Sequence, residues 1–157
     1  MGEGPFYEDF RVGQKIQHKT GRTLTDTDNI WFTLLTNNAN QIHFNKEYAE
    51  KFFSAPPFSG RIVVNSFLIL SLVIGVSSSD TSRNGIMLTL SNCKMLTPTF
   101  AGDTISADTE VLSKRESKSH EDMGIVTVRT TGYKQGKVPV VEFERTFMTR
   151  KTGRKWS

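Results

Sequence analysis

The sequence predicts an α+β domain in which an antiparallel sheet wraps a long central helix, and three observations carry that prediction. One segment, IVVNSFLILSLVIGV from Ile62 to Val76, is apolar on nearly every side and predicts a helix buried all round. Beyond it come four stretches of strand character: IMLTLSNCKML, DTISADTEVLSKRES, GIVTVRTTGYKQ and KVPVVEFERTFMTR. The second alternates Ile105, Ala107, Thr109 and Val111 with Ser106, Asp108 and Glu110, as a strand with one buried face should. A helix without a polar side needs cover on every side, and a sheet curled around it supplies that cover.

Each element follows from local chemistry. GQKIQHKTGRTL suggests an opening strand. In TLTDTDNIWFTLLTN, Thr25 can cap a helix, with Asp28 three residues on and Asp26 beside it at the positive end. Ile30, Trp31, Leu34 and Leu35 then supply an apolar face. NKEYAEKFFS predicts a short helix opened by Asn45, with Tyr48, Phe52 and Phe53 turned inward. Pro56, Pro57 and Gly60 in APPFSG break it. SSSDTSRNG predicts a loop after the central helix, while TPTFAGD and YKQGKV hold turn residues between strands. This architecture is the hot-dog fold.

At 157 residues the chain suits one domain, with a core over about 6–150 and a basic tail at 151–157. A single cysteine, Cys93, excludes an internal disulfide and any cysteine metal site. The N-terminal MGEGPFYEDF has neither the apolar core of a secretory signal nor a myristoylation pattern. The longest apolar run, at 15 residues, falls short of the roughly 20 that span a bilayer. These features predict a cytoplasmic protein in a reducing setting, without membrane contact. The net charge of +4 fits an anionic small molecule as well as nucleic acid, and part of it lies in RKTGRK, a run that predicts a solvated tail. Basic and aromatic residues do not interleave, so no nucleic-acid platform is expected.

The stretch NNANQIHFN, Asn37 to Asn45, gathers amides around one histidine and contains no acid. Taken alone it is either a polar turn or a place where His43 does acid–base work with amide partners. His18 and His120 have no partner pattern, and Thr36 and Ser59 have no nucleophile frame.

The segment from TLTDTDNIWF to VVNSFLI resembles the MaoC-like hydratases, hot-dog proteins acting on coenzyme A thioesters. Their motif Asp-x-Asn-Pro-x-His falls on Asn38-Ala39-Asn40-Gln41-Ile42-His43, and their Gly-Arg/Pro-Ile-x-His-Gly run on Gly60-Arg61-Ile62-Val63-Val64-Asn65. The family's aspartate is therefore Asn38 here, and its His-Gly is Val64-Asn65. GRIVVNSF, SKRESKSHEDMGIVTVRTTGYKQG and VVEFERTFM resemble the mesaconyl-CoA hydratases, also called β-methylmalyl-CoA dehydratases, over about Phe6 to Arg150.

That resemblance implies a hydro-lyase that adds water to a short-chain, dicarboxylic enoyl-CoA. The substrate carries the coenzyme A, and no separate cofactor or metal is expected. His43 is expected to remove and return the proton while Asn38, which cannot ionise, orients water. The Asn65 backbone N–H is expected to face the thioester oxygen at the start of the helix. Asn40, Arg61 and Val64 are expected to bind substrate, with the Arg61 fork on the free carboxylate. An aspartate at 38 would repel that carboxylate, so an amide there suits such a substrate. A homodimer or larger homo-oligomer is implied. The alternatives are a thioesterase on the same fold, or a non-catalytic acyl-CoA-binding or regulatory protein.

Overall fold

The computed structural model describes residues 4–154, so the first three residues and the end of the expected tail lie outside the described residues. In chain order it forms β1 (Lys15–Gln17), β2 (Arg22–Thr23), α1 (Asp26–Leu35), α2 (Lys46–Phe52), α3 (Ser66–Thr81), β3 (Gly85–Met95), β4 (Thr104–Glu116), β5 (Met123–Lys134) and β6 (Val138–Arg150). The strands pair antiparallel in the order β1-β4-β5-β6-β3, with β2 also on β4. The alternation read in β4 holds: Ile105, Ala107, Thr109 and Val111 are all buried. Their face packs on α3, where Ile69, Leu70 and Val73 meet Ile105, Ala107, Val141 and Phe143 in one core.

The central helix is displaced from its predicted limits at both ends. Val63 and Val64 lie outside the helix, and their amides bond instead to Ile42 O at 3.1 Å and Thr99 O at 2.9 Å. The helix starts after Asn65, whose Oδ1 accepts from Phe67 N at 3.0 Å. It then runs on through the serine-rich stretch expected to be a loop. Ser77, Ser78 and Thr81 donate their hydroxyls to carbonyls one turn back. Arg145, buried on β6, gives Ser77 Oγ and Thr81 Oγ1 a donor at 2.7 and 2.6 Å. The covering is also incomplete: Phe67, Ser71 and Gly75 lie exposed along one side of α3.

α1 forms as its cap predicted, with Thr25 and Asp28 bonding reciprocally. Its orientation is the reverse of the expectation. Trp31, Leu34 and Leu35 are 66%, 69% and 77% exposed, while Asn29 and Thr33 are buried. On the inward side of α1, Asn29 meets the backbone carbonyls of His43 and Val63, which require a polar partner. Asn45 caps α2 as expected, and Tyr48 and Phe53 are half-buried, but Phe52 is exposed.

The described part of the tail is fastened rather than free. Lys151 pairs with Glu116 at 2.7 Å, Arg154 with Asp122 at 3.1 Å, and Thr152 bonds to Glu8. His18 also has partners that the sequence did not reveal. Its ring lies 2.8 Å from both Asp80 Oδ2 and Thr109 Oγ1, and Thr109 continues to Thr130 at 2.8 Å. Thr109 is buried, so this chain braces α3 against the sheet and offers no accessible nucleophile. Among the described residues no helix is long and apolar enough to cross a membrane.

Candidate functional site

The amides of NNANQIHFN build turns. α1 ends with Asn37 N on Leu34 O at 3.1 Å and Asn38 N on Thr33 O at 3.0 Å, the Schellman pattern. Asn37 takes the left-handed position that closure requires, with φ of 50°, which asparagine tolerates better than most side chains. Asn38 Oδ1 then accepts from Asn40 N at 2.9 Å, and Asn40 Oδ1 from Ile42 N at 3.3 Å, opening a 3-10 turn over Gln41–His43. Asn45 caps α2 through Tyr48 N at 3.1 Å and ties back to Gln41 Oε1 at 2.7 Å. Ile42 anchors the turn in a small apolar cluster with Val63 and Phe100. Few residues other than short amides can close consecutive turns in this way, which explains why the loop is so rich in them.

His43 is half-buried at the end of that 3-10 turn. Its Nδ1 lies 2.8 Å from the carbonyl oxygen of Val63. A carbonyl can only accept, so Nδ1 carries the proton and Nε2 of the neutral ring keeps a lone pair. The backbone thus sets the tautomer that leaves Nε2 as a base.

The sequence did not single out Asn29, which is 1% exposed on α1. Its Nδ2 donates to His43 O at 2.7 Å and to Val63 O at 3.3 Å, and its Oδ1 accepts from Asn65 N at 2.9 Å. The signal was the Asn29/Thr33 pair at helical spacing on one face of α1. Asn29 corrects the expectation for Asn65: the amide expected to face a thioester oxygen is already donated within the core. The next amide, Ser66 N at the first position of α3, has no acceptor among the described residues.

Two clefts flank the Gly60–Asn65 segment. One, of about 210 Å³, is walled by Phe58, Val63, Val64, Ser66 and Ile69, and closed by Met95 and Leu96 from the end of β3. Among the described residues no charged side chain lines it. The other, of about 370 Å³, holds Arg61, Lys46, Asp26 and Glu50. The Arg61 guanidinium there lies 3.8 Å from the centroid of the Phe100 ring. Of the expected site residues, Val64 therefore borders the apolar cleft and Arg61 the polar one. Asn38 and Asn40 stay on the turn, and His43 lies beside Val63 without lining either cleft. His120 is exposed. Among the described residues no three His, Cys, Asp or Glu side chains converge as metal ligands would.

A curled antiparallel sheet on one long helix, with a histidine turn beside that helix's first residues, defines a MaoC-like hot-dog unit. A MaoC-domain dehydratase structure from Chloroflexus aurantiacus superposes with a TM-score of 0.87 and 30% identity, over 98% of this chain and 42% of that one. A Mycobacterium tuberculosis protein with a double hot-dog fold gives a TM-score of 0.84 over 99% of this chain and 47% of its own. At 20% identity that second likeness is one of fold alone.

The chain belongs to the mesaconyl-CoA hydratase family, whose model matches residues 1–154. Over 149 residues it is 31% identical to the beta-methylmalyl-CoA dehydratase of Chloroflexus aurantiacus, covering 94% of this chain. It spans only 41% of that protein's length.

Proposed function

We propose that this protein is a hydro-lyase adding water across the double bond of a short-chain enoyl-CoA thioester. One observation carries the proposal: the His43 Nδ1–Val63 O bond at 2.8 Å, which reserves Nε2 as a proton acceptor and ties the ring to a residue that lines the apolar cleft. His43 Nε2 takes the proton of the attacking water, oxygen adds to the β carbon, and the imidazolium returns the proton to the α carbon. Charge developing on the thioester oxygen meets the open Ser66 amide at the positive end of α3. Asn38 Oδ1 spends one lone pair on Asn40 N, leaving its second lone pair and its NH₂ group to orient water.

Family membership supports a dicarboxylic acyl group of the mesaconyl type, and the neutral Asn38 would not repel it. Arg61 then serves the free carboxylate or a coenzyme A phosphate from the neighbouring cleft. The uncharged wall of the 210 Å³ cleft favours a second reading, a simple enoyl chain such as crotonyl. Two copies of this unit paired along β3 complete the site. That strand is an exposed edge carrying Ile86, Met87, Leu88 and Leu90, and its end walls the apolar cleft.

Loss of the conjugated absorbance of crotonyl-CoA and mesaconyl-CoA, followed alongside free thiol, tests the proposal. Hydration without thiol release is expected, faster with mesaconyl-CoA. Thiol release without hydration identifies a thioesterase. Faster crotonyl-CoA turnover removes the dicarboxylic assignment, and tight binding without any turnover leaves a binding protein.

A further inference from the structure

Asn29 links three backbone groups belonging to two separate pieces of the site, the histidine turn and the Gly60–Asn65 segment. Two are carbonyl oxygens, His43 O at 2.7 Å and Val63 O at 3.3 Å, and the third is the Asn65 amide at 2.9 Å. Two acceptors and one donor are to be satisfied at a single buried point. A primary amide offers two N–H donors and one carbonyl, so it matches this set. A carboxylate would lose both donors and place charge against two carbonyl oxygens, and an apolar residue would orphan His43 O and Asn65 N and leave Val63 O with the His43 ring alone.

The Val63 carbonyl is shared. It accepts from Asn29 Nδ2 and also from His43 Nδ1 at 2.8 Å. Asn29 thus holds the ring's acceptor and the ring's own backbone together. It also consumes the Asn65 amide, so the first open donor of α3 is Ser66 N–H. We propose that Asn29 is a positioning residue that fixes the His43 tautomer and selects the Ser66 amide as the donor facing the substrate. Its role in turnover rests on the hydratase reading above, whereas its hold on the His43 ring does not.

The test uses the full chain with ¹⁵N-labelled histidine, the His43 signals being assigned from their loss in His43→Gln. In the native protein the ring is expected to show a protonated Nδ1 and an unprotonated Nε2. Asn29→Ala removes all three bonds, and Asn29→Asp keeps only the acceptor for Asn65 N. In either variant that remains folded by thermal melting, the ring signals should shift to mixed protonation. The kcat for enoyl-CoA hydration should fall about 10–100-fold, as misplacement of a catalytic group does, with KM changing less than about threefold. A folded variant with native ring signals or native kcat overturns the proposal. So does a fall in kcat and melting temperature with the ring signals unmoved, which marks a merely structural residue. Failure of both variants to fold overturns it too, because the residue then holds the domain rather than the site. If the native protein hydrates no enoyl thioester, the functional reading fails, and the ring spectra alone still decide whether Asn29 sets the tautomer.

Discussion

Replacing Gly132 with alanine should push β5 away from α3. A Cβ built at Gly132 stands 2.5 Å from Val73 Cγ2 and 2.9 Å from Val141 Cγ1. Carbon atoms prefer about 3.5–4.0 Å, so the closer contact must open by roughly 1 Å. Neither valine turns aside easily, since both are fully buried and β-branched. Overpacking of this kind costs about 1–3 kcal/mol. For a domain of this size each kcal/mol lowers the melting temperature by roughly 2–4 °C, so Gly132→Ala should melt about 2–12 °C lower. Val73→Ala alone should cost about 2 kcal/mol, from two lost methyl groups and the cavity they leave. In the double variant the new methyl enters the space Val73 vacates, so the combined loss should fall short of the sum by about 1 kcal/mol or more. Thermal and denaturant melts of the four proteins measure that coupling. Strict additivity, or an unchanged Gly132→Ala, would show that the helix does not rest on the sheet at this point.

Thr25→Ala removes the hydroxyl that accepts from Asp28 N at 3.2 Å, and should cost about 1 kcal/mol of stability in a denaturant melt. Burial raises the Asp28 carboxyl, but hydrogen bonds from Thr25 and Arg22 outweigh it and hold the group below its ordinary value. A lowered acid stabilises the fold above its unfolded pKa, so the Asp28→Asn deficit should be full above about pH 4 and shrink as pH falls further in parallel melts. Burial pushes Arg145 down to about 10, and among the described residues it bonds hydroxyls with no carboxylate partner. Arg145→Met should therefore match or exceed the native melting temperature at pH 7, whereas Arg145→Ala, which leaves a cavity, should melt lower. His43→Ala should lose about 10²–10⁴-fold in hydration rate and Asn38→Ala clearly less, and equal losses in steady-state assays would reject their separate roles.

The strands were legible because their signal is local. Alternation at Ile105, Ala107, Thr109 and Val111 depends on one strand having one wet and one dry face, and no distant residue can disguise it. The caps at Thr25 and Asn45 were legible for the same reason, since each side chain meets an amide three residues on. The central helix was legible as a helix but not in its limits. Those depended on Arg145, far along the chain, donating to Ser77 and Thr81, and on Ile42 and Thr99 holding the Val63 and Val64 amides outside the helix. The outward turn of Trp31 and Leu34 was hidden because hydrophobicity alone cannot tell a core from an uncovered surface.

What the sequence determined by itself was the set of elements, the turn-building amides and the histidine among them, all of which follow from interactions within a few residues. Only the tertiary structure decided which ring nitrogen of His43 meets the Val63 carbonyl, which helix amide stays open, and that Asn29 bonds the backbone beside both. Those outcomes turn on hydrogen bonds between residues 14 to 36 positions apart. Such partners meet only after the chain has packed, and no local pattern encodes their distance.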